Sequence, residues 1–216
     1  MNKYLSIITL NVNGLNAPIK RHRIAEWIRK HDPHIFCLQE THLRTKDLYR
    51  LKVKGWKQIF QANGQEKKGG VAILISEKNR FQKKGRKERP RRSVHNIQKR
   101  IHQEDISIVN IYAPNIAAPK YIKKILEDFK KDIDSNTIIV GAFNTPLSKM
   151  DRYSKQNITK DIVSLNNTLD EMDFTDIWSF SSQRSKIHIL FKCPWNFFKD
   201  RPHDRTQSKP QQIQEN

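Results

Sequence analysis

Four short stretches place polar side chains directly after apolar, strand-like runs. They are residues 9–14, 38–42, 110–115 and 141–146. Their carboxylate, amide and phenol groups belong to Asn11, Glu40, Tyr112 and Asn144. Carboxylate and amide oxygens at strand ends can share one rim, and oxygen ligands suit a hard cation such as Mg²⁺. Taken singly, Glu40 is more typical of a surface, Tyr112 of a core or rim, and the asparagines of turns.

The chain carries a large excess of positive charge. Lys and Arg number 41 against 22 Asp and Glu, which gives a formal net charge of +19. Such an excess suits a polyanion, because each Lys or Arg near a phosphate can release a condensed counterion. Residues 80–100 contain ten Lys or Arg and one acid, Glu88. This block indicates either a solvated loop or a nucleic-acid contact or nuclear import signal.

The two cysteines, Cys37 and Cys193, lie far apart and show no metal-ligand spacing. Cys37 belongs to an apolar run, which predicts a small buried side chain. The sequence has neither a signal-peptide pattern nor an apolar run of the roughly 20 residues that a membrane span needs. We therefore expect an intracellular protein, nuclear or cytoplasmic, that is not secreted and has no membrane partner.

Strand-like and helix-like stretches alternate along the chain. The expected strands are residues 5–12, 34–40, 56–61, 71–76, 106–112 and 137–140, and the expected helices are residues 21–30, 120–133 and 158–172. The strands are rich in β-branched residues, whereas the helices repeat apolar residues every three or four positions. This interleaving indicates an α/β protein. After Trp178 no sustained period is present.

The four polar stretches, in this order and spacing, resemble the endonuclease/exonuclease/phosphatase superfamily, which includes DNase I and the apurinic endonucleases. Residues 13–18 (NGLNAP) and 71–76 (VAILIS) are similar to the endonuclease domain of LINE-type retrotransposon reverse-transcriptase proteins. The resemblance covers roughly residues 5–177. It implies a four-layer α/β sandwich, two packed sheets with helices outside, and Mg²⁺-dependent nicking of DNA phosphodiesters.

The same resemblance implies a role for each polar residue. Glu40 is the expected principal metal ligand, and Asn11 assists it. Tyr112 and Asn144 are expected to hold the scissile phosphate. The expected contacts to the DNA backbone are Asn13, Asn115 and Arg152. The implied cofactor is Mg²⁺, with Mn²⁺ as a substitute and no small-molecule cofactor; the sequence does not indicate an oligomeric state.

The fourth stretch departs from the family pattern. The family form is Gly-Asp-Phe-Asn, whose aspartate helps to orient the water or the phosphate, and this chain has Ala142 at that place. A methyl group neither binds a proton nor accepts a hydrogen bond. Losing a positioned catalytic group typically lowers a rate by roughly 10²–10⁴-fold or more. We therefore expect this copy to be catalytically inactive.

This chain lacks three later motifs of the family, which are Tyr-Thr-Phe-Phe, Ile-Asp-His and Ser-Asp-His. Residues 179–214 can be back-translated with permitted codons and read one nucleotide later, and the shifted text then contains the first two of these motifs. Residues 88–98 give a family-like sequence in the same way. Our hypothesis is a degenerate, truncated copy. A partial domain spans residues 1–178 with a frameshifted basic loop at 84–100, and residues 179–216 form a frameshifted, disordered basic tail. The sandwich is then incomplete at its C-terminus, and codons that forbid the shifted texts would refute the frameshifts.

The sequence leaves several functional interpretations open. The chain is an active Mg²⁺-dependent DNA nickase, a nuclease-like fold that binds nucleic acid without cutting, or an unselected pseudogene product. A phosphatase that acts on lipid or nucleotide phosphates is a further alternative. The LINE-like stretches at residues 13–18 and 71–76 disfavour it.

Overall fold

Helices and strands alternate along the chain, as the sequence predicts for an α/β protein. The computed structural model describes residues 5–43, 51, 53–56, 58–62, 69–77, 94–101, 104–147, 157–182 and 185–192. Within these residues the order is β1 (Ile7–Asn11), α1 (Pro18–His31), β2 (Ile35–Gln39), β3 (Gln58–Ala62), β4 (Val71–Ile75), β5 (Val94–Ile101), β6 (Glu104–Tyr112), α2 (Ala118–Phe129), β7 (Thr137–Ala142), α3 (Lys160–Glu171), β8 (Thr175–Ser182) and β9 (Ser185–Lys192).

The described strands form two mixed sheets. The first sheet has the order β1-β2-β4-β3, with β1 parallel to β2 and the other pairs antiparallel. The second has the order β5-β6-β7-β9-β8, with β6 parallel to β7 and the other pairs antiparallel. Each parallel pair brings two carboxyl ends to one edge of its sheet. These four strand ends are the ones that carry the polar stretches.

Alternating side chains of each sheet enter different cores, because successive residues of a strand point to opposite faces. In β2, Phe36 packs with α1, whereas the next residue, Cys37, faces the second sheet. In β7, Ile139 packs with α2 and α3, and Val140 faces the first sheet. The layers are therefore α1, the first sheet, the second sheet, and α2 with α3. The predicted four-layer sandwich is confirmed.

The apolar faces of the helices agree with the predicted spacing. The buried residues of α2 include Ile122, Ile125, Leu126 and Phe129, and those of α3 include Ile162, Leu165 and Leu169. Helix α1 begins earlier than predicted, at Pro18, because proline is tolerated in the first helical turn, where no N–H partner is needed. None of the helices in the described part of the chain is long and apolar enough to cross a membrane.

Cys37 is fully buried between the sheets, as its apolar surroundings predict. Burial disfavours the charged thiolate and raises the pKa of the thiol above its usual range. The side chain therefore behaves as a small apolar group and not as a nucleophile.

The prediction of a basic loop at residues 84–100 is wrong for residues 94–100, which belong to β5. Two apolar residues explain the strand. Val94 packs with the helices on one face, and Ile97 packs between the sheets on the other. They stand three positions apart, so they serve opposite faces of a strand, and the basic residues around them obscure this pattern. Residues 84–93 lie outside the described part of the chain.

The prediction of a disordered tail from residue 179 is wrong for residues 179–182 and 185–192. These residues extend β8 and form β9, which completes the second sheet beside β7. In β9, Ile189 and Phe191 face the first sheet, whereas Leu190 packs with the helices. This strict alternation is a strand pattern in the reading frame that is present. Residues 193–216 lie outside the described part of the chain, and the frameshift hypothesis stays a hypothesis.

Gly141 lies where β7 approaches β6 too closely for a side chain. A Cβ at this position would overlap the carbonyl oxygen of Ile111. We expect Gly141→Ala to lower the free energy of unfolding by about 3 kcal/mol through overpacking, measured by urea denaturation followed by circular dichroism. Gly55→Ala is the control, since Gly55 has φ +86° but nothing within 4 Å. It should cost only the roughly 1–2 kcal/mol of a left-handed alanine. Equal losses would contradict the close approach.

Candidate active site

Polar side chains gather between the sheets where β1, β2, β6 and β7 end. The alternation explains their position. Ile7, Cys37, Ile108 and Val140 face the space between the sheets, and so do the residues at even steps beyond them along each strand. Those residues are Thr9, Asn11, Gln39, Asn110, Tyr112 and Ala142. The layer between the sheets is thus apolar along most of its length and polar at one edge.

Glu40 and Asn11 are held together at this edge. Glu40 follows β2 directly and has a left-handed backbone with φ +52°. Asn11 Nδ2 donates to Glu40 Oε1 at 2.8 Å, and the backbone N–H of Asn13 donates to Asn11 Oδ1 at 3.1 Å. The Glu40 side chain keeps 18% of its surface exposed. Its carboxylate is therefore oriented by an amide donor and is still accessible from solvent.

Backbone hydrogen bonds extend the β1–β2 pairing past both strands and fix this geometry. The N–H of Gly14 donates to the carbonyl of Glu40 at 2.7 Å, and the N–H of Leu15 donates to that of Thr41 at 2.9 Å. Gly14 has φ +88°, and a Cβ there would lie 2.8 Å from His42 Nδ1. His42 Nε2 in turn lies 4.0 Å from Glu40 Oε2. Glycine is required at this turn because the loop passes directly over the imidazole.

Tyr112 reaches the same carboxylate from the second sheet. Burial is the main cause that raises the pKa of its phenol from 10.0 to about 12, followed by the charge of Glu40 and a hydrogen bond to that side chain. The phenol is therefore protonated at neutral pH. Its one hydroxyl hydrogen is donated to Glu40 or, in exchange, to a phosphate oxygen.

Asn144 and Ala142 lie on the adjoining end of β7. Asn144 has φ +50°, and its Nδ2 donates to the carbonyl oxygen of Ala113 at 2.7 Å. Ala142 is fully buried and pairs with Tyr112 in the parallel β6–β7 register. Paired residues of neighbouring strands point to the same face, so the Ala142 methyl group lies beside the phenol. The position expected for a carboxylate holds a group with no acid–base chemistry.

The structure brings Asn11, Glu40 and Tyr112 together, and it places Asn144 on the loop that follows the strand next to Tyr112. Asn13 and Asn115 are exposed at the same edge, where either can meet a ligand from solvent. Lys20 Nζ donates to the Asn13 carbonyl at 3.1 Å, which adds a positive charge beside this loop. Arg152 lies outside the described residues.

One pair, a buried histidine and a more exposed aspartate, was not expected from the sequence. His188 Nδ1 lies 2.9 Å from Asp176 Oδ2, and its Nε2 lies 3.2 Å from the Thr145 carbonyl oxygen. The ring is fully buried and stacks on Phe143 at a centroid distance of 5.1 Å. It thus supports the loop of Asn144 from the helix side of the sheet. The apolar run of residues 187–191, interrupted only by His188, is the signal that could have placed this histidine in a strand.

The residues at this edge fit Mg²⁺. Magnesium keeps several waters and is commonly bound through one or two carboxylates together with substrate phosphates, and Glu40 supplies one such carboxylate. The Oδ1 of Asn11 accepts one hydrogen bond and retains a second lone pair. The described residues contain no cluster of three or more His, Cys, Asp or Glu. The donor set is therefore one of oxygens around a single acid.

Comparison with known proteins gives a family match over nearly the whole chain. The model of the endonuclease/exonuclease/phosphatase family matches residues 8–212. The DNA repair nuclease APEX1 of Danio rerio is 29% identical over 154 residues, which are 63% of this chain and 44% of that protein. The chain thus spans less than half of the length of this relative.

Solved structures with the same architecture include two kinds of endonuclease. The endonuclease domain of TRAS1, a telomere-specific non-LTR retrotransposon, has a TM-score of 0.64 and 14% identity, covering 87% of this chain and 84% of that chain. The AP endonuclease LMAP from Leishmania major has a TM-score of 0.65 and 15% identity, covering 87% and 79%. An AP endonuclease from Archaeoglobus fulgidus has a TM-score of 0.60 and 20% identity, covering 87% and 86%. These likenesses establish the fold.

The contact between Tyr112 and Glu40 can be tested by titration. Glu40→Gln removes the negative charge, so we expect the pKa of Tyr112 to fall below about 12 but to stay above 10.0, because burial is the larger cause. Near-ultraviolet absorbance of tyrosinate measures this, and subtracting the curve of Tyr112→Phe isolates one phenol among five. Glu127→Gln, an exposed change on α2, is the control. Identical curves for Glu40→Gln and the unsubstituted chain would rule out the contact.

The same pKa shift predicts how stability depends on pH. The folded-state pKa of Tyr112 lies above the ordinary value of 10.0, so its contribution to stability is complete below pH 10.0 and is lost as the pH rises towards about 12. Tyr112→Phe should therefore lose stability less steeply than the unsubstituted chain across this window. Urea denaturation at a series of alkaline pH values measures the difference, and parallel curves would contradict it.

Proposed function

The chain belongs to the endonuclease/exonuclease/phosphatase family, and from this membership we propose that it is a LINE-type endonuclease domain that binds a divalent cation and the DNA backbone but has lost efficient cleavage. One observation carries the proposal. Asn11 of the same sheet and Tyr112 of the other sheet both contact Glu40. The fully buried Ala142 lies beside the phenol of Tyr112. The groups that would bind the cation and the phosphate therefore lie next to Ala142, the position at which the family has an aspartate.

Each assembled residue has a chemical role in this proposal. Glu40 would hold Mg²⁺, with its orientation set by Asn11. The bound ion supplies polarisation of a phosphoryl oxygen and stabilisation of the leaving oxygen. Tyr112 donates its hydroxyl to a phosphate oxygen. Asn144 uses one amide hydrogen on the Ala113 carbonyl and keeps its second for the same phosphate.

Cleavage also needs a water that is deprotonated and aimed at phosphorus. Ala142 cannot contribute to this, and its neighbour Tyr112 is a donor whose raised pKa keeps it protonated. His188 does not replace the missing carboxylate, because it is fully buried on the opposite face and both ring nitrogens contact oxygen atoms. The proposal therefore separates binding, which is retained, from water activation, which is lost.

The LINE-type assignment rests on two stretches of sequence. Residues 13–18 form the loop that covers His42 and leads into α1, at the edge where DNA would approach. Residues 71–75 form β4, all five of whose side chains are buried. The first stretch therefore lies at the candidate site and the second lies in the core, so the resemblance to the LINE-type domain involves both parts of the fold.

A second candidate function follows from the net charge of +19. A basic remnant, or an unselected product of a pseudogene, would hold nucleic acid by charge alone. Both candidates predict binding that weakens steeply with salt, because both release counterions from DNA. They differ in whether Glu40 and a divalent cation take part.

Nicking of supercoiled plasmid in the presence of Mg²⁺ tests the loss of cleavage. We expect the unsubstituted chain to leave the plasmid intact. A version that carries Ala142→Asp and a C-terminus restored to the shifted reading frame is expected to nick it, and EDTA should stop the reaction. Nicking by the unsubstituted chain that EDTA abolishes would refute the proposed inactivation. A restored version that binds Mn²⁺ but never cuts would count against the family chemistry.

Binding of Mn²⁺, followed by the loss of its free electron paramagnetic resonance signal, separates the two candidate functions. Glu40→Gln removes the only acid of the proposed ligand set, so we expect the affinity for Mn²⁺ to fall about tenfold or more. Glu127→Gln, on the exposed face of α2, should leave the affinity unchanged. Equal affinities for all three proteins would favour the basic remnant.

A further inference from the structure

Two amide side chains are buried between the sheets directly below the candidate site. Gln39 and Asn110 have no exposed surface. Asn110 Nδ2 donates to the carbonyl oxygens of Leu38 and Ala72, each at 3.0 Å. Gln39 Nε2 donates to Asn110 Oδ1 at 2.7 Å and to Thr9 Oγ1 at 2.9 Å. The Asn110 amide of the second sheet therefore binds two neighbouring strands of the first, β2 and β4. Gln39 connects a third strand, β1, to the same network.

The apolar side chains described in the rest of the layer between the sheets give no comparable direction. Its buried side chains include Ile35, Ile73, Ile108 and Val140, and contacts among such groups are non-directional. Apolar packing holds the sheets together and allows one to shift along the other. Three hydrogen bonds from one sheet to the other, with their preferred length and angle, oppose such a shift. A polar group at such depth is costly unless it is paired, so a shift that breaks the bonds is disfavoured.

The two amides lie close in sequence to the groups that meet at the site. Gln39 immediately precedes Glu40, and Asn110 stands two residues before Tyr112 on the same face of β6. A strand advances about 3.3 Å per residue. A slip of one residue between β6 and β2 would carry the Tyr112 hydroxyl out of hydrogen-bonding distance of the Glu40 carboxylate. The position of one sheet along the other therefore also sets the distance between Tyr112 and Glu40.

We propose that Gln39 and Asn110 are positioning residues, which set the register of the two sheets so that Tyr112 meets Glu40. The inference rests on the proposed function only in that the aligned groups are those of its site. Asn110 is the principal member of the pair, because both amide hydrogens and its oxygen are engaged. Gln39 is secondary, since its Oε1 is buried without a hydrogen-bond partner among the described residues.

A double-mutant cycle between Glu40→Ala and Tyr112→Phe tests the proposal at neutral pH, without metal or DNA. The free energies of unfolding of both single variants and the double variant give the coupling between the two side chains. A general loss of stability cancels in this difference. We expect a favourable coupling in the unsubstituted chain and its complete loss in the background of Asn110→Leu, which keeps the volume but removes all three hydrogen bonds.

Ile108→Val provides the matched control, because Ile108 is buried between the sheets on the same strand but makes no directed contact. It should lower stability and leave the coupling unchanged. If Asn110→Leu does not fold, Gln39→Met decides the question, since it removes one of the three bonds between the sheets and leaves the two from Asn110 to the first sheet; the coupling should then weaken without being lost. Coupling that stays undiminished in whichever variant is measured would overturn the positioning role. That result would leave the nicking and Mn²⁺ experiments, and with them the proposed function, standing.

Discussion

Face-to-face packing of the two sheets is the constraint on which the rest of the structure depends. It divides every strand into one set of side chains that faces a helix layer and one set that faces the opposite sheet. Along β1, β2, β6 and β7 the second set is apolar until the carboxyl ends, where amides, a carboxylate and a phenol replace it. The site is therefore the polar end of the core itself. Its geometry follows from strand register and from the residues that directly follow the strands, such as Glu40 and Asn144.

The sequence predicted much of this architecture because the relevant signals are local. Continuous apolar runs located β2 and β4, and helical spacing identified the buried faces of α2 and α3. The residues in contact at the site could be chosen because each ends a strand or directly follows one. Strands β5, β8 and β9 were missed. In β5 the isolated apolar residues Val94 and Ile97 are separated by polar and basic neighbours. The role of Asn110 was also hidden, since its partners, Leu38 and Ala72, are distant in sequence and are backbone groups.

In the proposed function, Ala142 accounts for a loss of chemistry within a retained fold. A carboxylate at this buried position would need compensating hydrogen bonds to offset its desolvation, whereas a methyl group needs none. The β6–β7 pairing continues through this residue, and its carbonyl oxygen accepts a hydrogen bond of 2.9 Å from the N–H of Ala113. Replacing the acid therefore removes a functional group without removing a structural contact. Gly141 differs from Ala142, because the close approach of Ile111 leaves no room for a side chain at this position.

The left-handed backbone at the site has an energetic consequence. Asn13, Glu40, His42 and Asn144 all have φ between +44° and +54°. For a residue with a Cβ this conformation costs on the order of 1 kcal/mol, and asparagine tolerates it better than glutamate or histidine. Glu40 and His42 are thus held in conformations that glycine or asparagine would adopt at lower cost. Glycine or asparagine in place of Glu40 would relieve this strain but would remove the hydrogen bond from Asn11, so the strained backbone serves the position of the carboxylate and not the fold.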